Sequence, residues 1–381
     1  ETAQGNSDDT GYGDFYYDPP TGFLAMCTGN LTTAEEIDPA ETDDDYPQKL
    51  FSPILYTGNG STNNITGLGF KPDLTWIKIR NTASNGPLVD SSRGTSEIVF
   101  SQTNGAEVTS ANLTAFGSDG FSLAGGLASY DANFNGNTNT YVSWCWRANG
   151  GSTSAGSGDL TSTHQVDPSG GFSIVKAVGD GGSGDKTVSH GLSAAPTCIL
   201  AKNLDNTYNW DTYWAQGLSS GYSIRLNTTD TQISGRWGSV TSSIFTVKEN
   251  YTWVGTTNYI YYCFTNIEGY IKAGIYRGNA NDDGPFIYTG FRPAFMMLRE
   301  VAVDNWGIYD NKRIGQNNDD GDGNAVLYPD YHGAEENQAS RAIDILSNGF
   351  KLRTSNATFN ASGTYIFLAM AKNPFQYSLA R

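Results

Sequence analysis

Tyr141-Val142-Ser143-Trp144-Cys145-Trp146 decides the fold, because the same pattern returns twice. The second occurrence is Tyr259-Ile260-Tyr261-Tyr262-Cys263-Phe264 and the third is Tyr365-Ile366-Phe367-Leu368-Ala369-Met370. Side chains two apart on a strand share a face. One face then carries Val142, Trp144 and Trp146, matched by Ile260, Tyr262 and Phe264, and by Ile366, Leu368 and Met370. On the other face Cys145, Cys263 and Ala369 fall at one aligned position, the signature of a small buried site. Apolar residues on both faces mark a central strand of a packed sheet.

Two further markers precede each of these strands. An aromatic-led apolar run ends in a Gly/Asn/Asp turn near residues 51–60, 172–184 and 270–284. A Gly–apolar–Pro marker then opens a second apolar strand. It reads Gly69-Phe70-Lys71-Pro72 before Leu74-Thr75-Trp76-Ile77-Lys78. In the next copy Gly191-Leu192 and Pro196 precede Cys198-Ile199-Leu200-Ala201-Lys202. In the last, Gly290-Phe291-Arg292-Pro293 precedes Phe295-Met296-Met297-Leu298-Arg299. Pro72 and Pro196 lie as far apart as Phe121 and Phe245, so the order and the spacing agree. Helix signal is poor, because Gly, Asn, Thr and Ser compete with helix. Only 334–346 has a helical option. The expected fold is all-β: three tandem antiparallel β-sandwich repeats preceded by an extended acidic arm. The expected boundaries are 1–50 for the arm, 51–150 for the first repeat, 151–171 for a Ser/Gly-rich linker, 172–269 for the second repeat and 270–381 for the third. The arm is expected to dock on a neighbour through Phe15, Tyr16, Tyr17 and Phe23.

Composition narrows the function classes. The chain has 381 residues and a formal charge of −16, from 23 Lys plus Arg against 39 Asp plus Glu. Nucleic acid and anionic membrane surfaces need clustered cations, so the balance argues against both as partners. No run reaches the ~20 apolar residues of a membrane span. The first residue is Glu1, so a processed product or a piece of a longer chain is expected. Cys27, Cys145, Cys198 and Cys263 lack CxxC spacing and read as small, unpaired residues.

No motif carries chemistry strongly. Gly179-Asp180-Gly181-Gly182-Ser183-Gly184 matches GxGxxG, but the strand-like Lys186-Thr187-Val188-Ser189-His190 follows where a phosphate site needs a helix. Asn317-Asn318-Asp319-Asp320-Gly321-Asp322-Gly323 lacks the closing Glu of a calcium loop and reads as a solvated loop. Whether Asp319, Asp320 and Asp322 hold Ca²⁺ stays open. His164, His190 and His332 form no metal pair, and there is no GxSxG. Asp90-Ser91-Ser92-Arg93 and Asp310-Asn311-Lys312-Arg313 read as Asp–Arg turn clamps, whereas the second copy has Tyr213-Trp214-Ala215-Gln216. Trp210 and Trp306 read as core residues before they read as sugar platforms. Sequons such as Asn64, Asn112 and Asn356 arise by chance in an Asn- and Thr-rich chain. No catalytic, cofactor-binding or metal-binding residue is assigned, and no enzyme activity is expected.

One resemblance stands beside these readings. Leu55-Tyr56-Thr57-Gly58-Asn59-Gly60, Gly69-Phe70-Lys71-Pro72-Asp73, Asp90-Ser91-Ser92-Arg93-Gly94 and Trp144-Cys145-Trp146-Arg147-Ala148-Asn149-Gly150-Gly151 resemble a repeat domain of virion-surface and tail-fibre-like proteins of marine tailed phages. Residues 15–27, Phe15-Tyr16-Tyr17-Asp18-Pro19-Pro20-Thr21-Gly22-Phe23-Leu24-Ala25-Met26-Cys27, are similar to the segment preceding it there, which often ends a SPRY-like domain. The resemblance implies a non-enzymatic structural or adhesive virion protein on the particle surface, in the tail fibre, the tail or a capsid-surface fibre. It implies other virion proteins as partners, homotrimeric association, and contact with a host surface glycan or protein. Two alternatives remain: a secreted polysaccharide-active protein or carbohydrate-binding array, and a bacterial adhesin or filament subunit.

Overall fold

The computed structural model describes residues 5–27, 30, 47–126, 129–313 and 324–372. It divides into two units, Glu1–Asp43 and Asp44–Arg381.

In the first unit the described residues turn back on themselves around carboxylates: Asp9 accepts from the Gly22 amide and Asp14 from the Gly5 amide, both at 2.8 Å, and Asp8 accepts most. Asp8 Oδ1 accepts from the Thr10 and Tyr12 amides at 3.0 and 2.9 Å, and Oδ2 accepts from the Ala25 amide at 2.7 Å. Burial opposes ionisation of Asp8, but the Thr10 hydroxyl, at 2.7 Å, and the Ala25 and Tyr12 amides outweigh it and hold the group below the usual carboxylate range. Asn6 and Phe15 form an isolated bridge. Residues 5–27 therefore do not run as an extended arm; a carboxylate that satisfies several amides at once closes the segment into a loop. Phe15, Tyr16, Tyr17 and Phe23 remain on its surface. The acidic run at 43–45 lies outside the described residues.

The second unit is all-β and antiparallel throughout its ladders. Nine strands set the pattern: β1 (Phe51–Thr57), β2 (Leu74–Ile79), β3 (Thr140–Trp146), β4 (Phe172–Val178), β5 (Cys198–Asn203), β6 (Asn258–Phe264), β7 (Ile271–Arg277), β8 (Pro293–Glu300) and β9 (Thr364–Ala371). In each copy the last strand lies between the first two, giving β1-β3-β2, β4-β6-β5 and β7-β9-β8. The registers correspond as well. Trp146 lies opposite Phe51 and Leu74, Phe264 opposite Phe172 and Cys198, and Met370 opposite Ile271 and Phe295. Cys145, Cys263 and Ala369 occupy one rung of these ladders, opposite Thr75, Ile199 and Met296. A three-stranded sheet covers one face of each ladder, carrying Phe121, Phe245 or Phe350 inward.

The two faces of the Tyr-led strands have different partners. Tyr141 and Cys145 point into the core of the first copy, Tyr259, Tyr261 and Cys263 into that of the second, and Tyr365, Phe367 and Ala369 into that of the third. The opposite faces all enter one further core, shared by the three copies. Trp146 is its hub: its ring lies 4.9 Å from Phe51, 6.2 Å from Phe172, 6.4 Å from Phe264 and 5.8 Å from Phe295. Each such side chain contributes roughly 1.5–3 kcal/mol by burial. The copies thus surround a common apolar centre instead of following one another as separate beads.

Two local expectations change. Residues 151–171, expected as a linker, carry strands Ser154–Ala155 and Thr161–Val166, and the second of these pairs along β4 from Ser173 to Val178. Glycine and serine set the composition of that stretch, yet Leu160 and Gln165 are buried and the threonines favour strand. Residues 334–346 form a strand at Glu336–Gln338, one 3₁₀ turn at Ala339–Arg341 and a strand at Ile343–Leu346. Ile343 and Ile345 are buried at two-residue spacing, the period of a strand, and this overrides the helical option.

Candidate functional site

The chemically distinctive side chains gather where the copies meet. Lys78, Lys202 and Arg299 hold the same place in β2, β5 and β8, and all three are buried. Lys78 Nζ donates to the Tyr331 carbonyl of the third copy at 2.7 Å. Lys202 Nζ donates to the Asn104 carbonyl of the first copy at 3.3 Å and to its own copy's Asn203 and Tyr208 carbonyls at 2.9 Å. Arg299 donates to the Arg225 and Thr228 carbonyls of the second copy at 2.9 and 3.0 Å, and to that of Asp230. First reaches third, third reaches second and second reaches first, which closes a ring. Burial disfavours each charge and lowers both Lys78 and Lys202 to about 8. Asp330 feels both Arg299 and Lys78; burial raises it to about 7, against backbone donors and the pull of the two cations.

Two further sets of contacts run in the same sense. Trp210 Nε1 donates to the Phe100 carbonyl at 2.9 Å, and Trp306 Nε1 to the Arg225 carbonyl at 3.0 Å. The first copy has Asn85-Gly86 there, and Arg80 instead makes a two-pronged pair with Glu335 at 2.8 and 2.9 Å. The Asp–Arg turns form the third set. Arg93 Nε lies 2.5 Å from Asp90 Oδ2, and Arg313 Nε 2.6 Å from Asp310 Oδ2. Onto the first clamp Tyr262 of the second copy donates its hydroxyl, 2.8 Å to Asp90. Onto the second clamp Trp144 of the first copy donates its indole N–H, 3.0 Å to Asp310, with the Arg313 guanidinium 5.6 Å from its ring centre. In the second copy the strand register puts Trp214, one residue later than the sequence alignment with Tyr213, at the aspartate position, and it stacks on Trp306 at 5.9 Å. The residue of the third copy aligned with Tyr262 and Trp144 is the apolar Leu368, so the polar finger is missing where the polar clamp is missing.

The other candidates disperse. Residues 179–184 join β4 to the strand Lys186–Ser189, so no helix end is there to receive a phosphate. His190 is committed to the Thr241 carbonyl and the Leu192 amide. Among the described residues no group of three His, Cys, Asp or Glu side chains is placed to hold a metal. Asp319, Asp320 and Asp322 lie outside the described residues. The four cysteines are free thiols. Trp210 and Trp306 are wholly buried and offer no sugar platform. Asn112 is buried, and Asn356 caps the short helix Ala357–Asn360.

The buried cations were legible in principle. A Lys or Arg at the fifth position of an otherwise apolar strand recurs in all three copies, but one copy alone reads as an ordinary strand end. A surface groove of about 380 Å³ had no sequence signal at all. It opens beside β7, and it draws on Gln216, Lys272, Arg277, Phe286 and Tyr288 from separate stretches of chain.

Together these contacts define an all-β module whose three internal copies lock into a single ring. The chain belongs to the family described as Domain of unknown function (DUF7483), whose model matches residues 46–374. That span covers all three copies, in keeping with a core they share. No curated protein and no solved structure matches the chain.

Proposed function

We propose that the chain is a non-enzymatic structural and adhesive protein of a phage virion surface, borne on a tail fibre, the tail or the capsid exterior. The observation that carries this reading is the three-way interlock. Lys78, Lys202 and Arg299, the most costly side chains to bury, are each committed to carbonyls of another copy. Such a unit resists local opening, which suits a part exposed to proteases and mechanical load. The phage resemblance at residues 15–27 and 55–151 supplies the setting. The exposed aromatics of residues 5–27 supply a contact surface for other virion proteins, and association into a homotrimer belongs to the same proposal.

The test is location. Antibodies raised against the ring should decorate intact particles in electron micrographs, and the chain should co-purify with particles through a density gradient. Antigen found only as free secreted protein would favour the polysaccharide-binding alternative. Antigen on bacterial cells without particles would favour the adhesin alternative.

A further inference from the structure

The groove beside β7 combines three features that point to one ligand class. Its two cations, Lys272 and Arg277, stand on opposite faces of the edge strand β7, about 16 Å apart along it, and have no ion-pair partner among the described residues, although the whole chain carries a charge of −16. No carboxylate lines it. Two aromatic rings border it in the open, Phe286 at 44 % and Tyr288 at 65 % exposure. The Phe286 ring lies against Gly349, where a Cβ would come within 3.0 Å of it, so the absence of a side chain there seats the ring against the sheet. Gln216 adds an uncommitted amide from the second copy. The neighbouring edge of β7 is not free to take another strand at its centre, because the Asn266 side chain already occupies both the Ala273 amide, at 2.7 Å, and the Ala273 carbonyl, at 3.2 Å.

We propose that this groove binds an acidic saccharide, a chain bearing uronate carboxylates. Tyr288 and Phe286 present flat apolar faces to the C–H faces of sugar rings. Lys272 and Arg277 meet carboxylates of separate residues of a saccharide that runs along the strand edge, as charge-assisted donors, and Gln216 offers a donor and an acceptor to hydroxyls. The volume of about 380 Å³ lies at the lower end of the usual ligand-site range, and an open trough suits a segment of a polymer. Its use in attachment rests on the adhesive reading above; the binding itself does not.

Isothermal titration of the full chain tests it, with trimers of galacturonate, mannuronate and guluronate, and with galactotriose and cellotriose as neutral controls. At least one uronate trimer should bind with Kd below about 5 mM, and neither neutral trimer should bind in that range. Raising the salt should weaken binding, as screening requires. Lys272→Gln with Arg277→Gln should weaken it by about tenfold, and Tyr288→Ala should do so by about tenfold. Both changes lie at exposed or half-exposed positions, and circular dichroism should confirm an unchanged fold. Failure of all three uronates, equal binding of neutral trimers, or full affinity in the double variant each overturns the proposal. A ring found on virions without uronate affinity removes this inference alone; uronate affinity in a chain absent from virions removes the virion reading alone.

Discussion

In residues 5–27 Tyr17 and Phe23 stand 79 % and 69 % exposed, whereas in the ring Trp144, Trp210 and Trp306 are wholly enclosed. The two regions hold themselves together by different means. The N-terminal loop closes on carboxylates, chiefly Asp8 with Asp9 and Asp14 beside it, and leaves its aromatic rings outside. The ring puts its aromatic surface at the centre and ties the copies with buried cations and indole N–H groups. A segment that folds without enclosing its own rings has them available to another surface; a module that encloses them has only its loops and grooves to offer. Enclosed and exposed aromatic surface are thereby divided between separate stretches of the chain.

The largest loss should come from unpairing a clamp. Asp310→Ala removes the nearer of the two carboxylates of buried Arg313, leaving it Glu335 at 3.3 Å, and leaves the Trp144 N–H without an acceptor. Removing one partner of a buried pair costs roughly 3–5 kcal/mol, read as a lower denaturant midpoint of the ring. The second copy already shows an apolar solution at that place, Trp214. Converting the whole contact, with Asp310→Leu, Arg313→Met and Trp144→Phe together, should therefore destabilise less than Asp310→Ala alone. A triple variant weaker than the single one would mean that the clamp has a role the second copy does not share.

A smaller, pH-dependent effect belongs to Lys202. Its folded-state amine titrates at about 8, against 10.5 when unperturbed. Below pH 8 both states are charged and the cost of burying the charge is felt in full. Between 8 and 10.5 the unfolded chain binds more protons, so this lysine makes stability rise with pH, by at most about 1.4 kcal/mol per pH unit. Cys145, raised to about 12 by burial, acts in the opposite direction above pH 9. The readout is therefore a difference: wild type minus Lys202→Met should climb from pH 8 upward. A flat difference would mean that the amine titrates alike in both states.

Tyr262→Phe should cost less again. It removes the hydroxyl that donates to Asp90 and accepts from Arg93 at 3.2 Å, while the clamp itself stays paired. A hydrogen bond to a charged group contributes about 1.5 kcal/mol. A loss as large as that of Asp310→Ala would show that the first clamp depends on its finger, and the ordering of contacts above would need revision.

What could be read from the sequence follows from how each feature is encoded. The Tyr-led strands were legible because alternation survives in all three copies, down to the Cys145, Cys263 and Ala369 rung. Alternation reports that a face is buried, not what covers it. The faces of Trp146, Phe264 and Met370 were known to be apolar, while the shared centre they build was not. Strand Thr161–Val166 was hidden by the Ser/Gly stretch before it, and 334–346 by alanines that suit either state. The groove could not be read because Gln216, Lys272 and Tyr288 meet only in three dimensions.

The smallest effect on the ring, and the one that bears most directly on the division between the two regions, should follow deletion of residues 1–30. The four apolar cores draw on no described residue before Leu50. Nothing in the interlock involves the deleted stretch either, since its cations, indoles and clamps lie between Lys78 and Arg313 and close on residues up to Glu335. The denaturant midpoint of the ring should therefore move by less than about 0.5 kcal/mol, the range of a surface change. On the virion reading proposed above, incorporation into particles should fall at the same time, because Phe15, Tyr16, Tyr17 and Phe23 leave with the segment. Burying four such rings against a partner is worth roughly 1.5–3 kcal/mol each before ordering costs, enough to decide attachment. Restoring the segment with all four changed to Ser separates the rings from the loop that carries them, and should leave incorporation as low as the deletion does. Full incorporation of that variant would place the contact elsewhere, and a ring destabilised by more than about 1 kcal/mol on deletion would make the segment part of the ring's own fold.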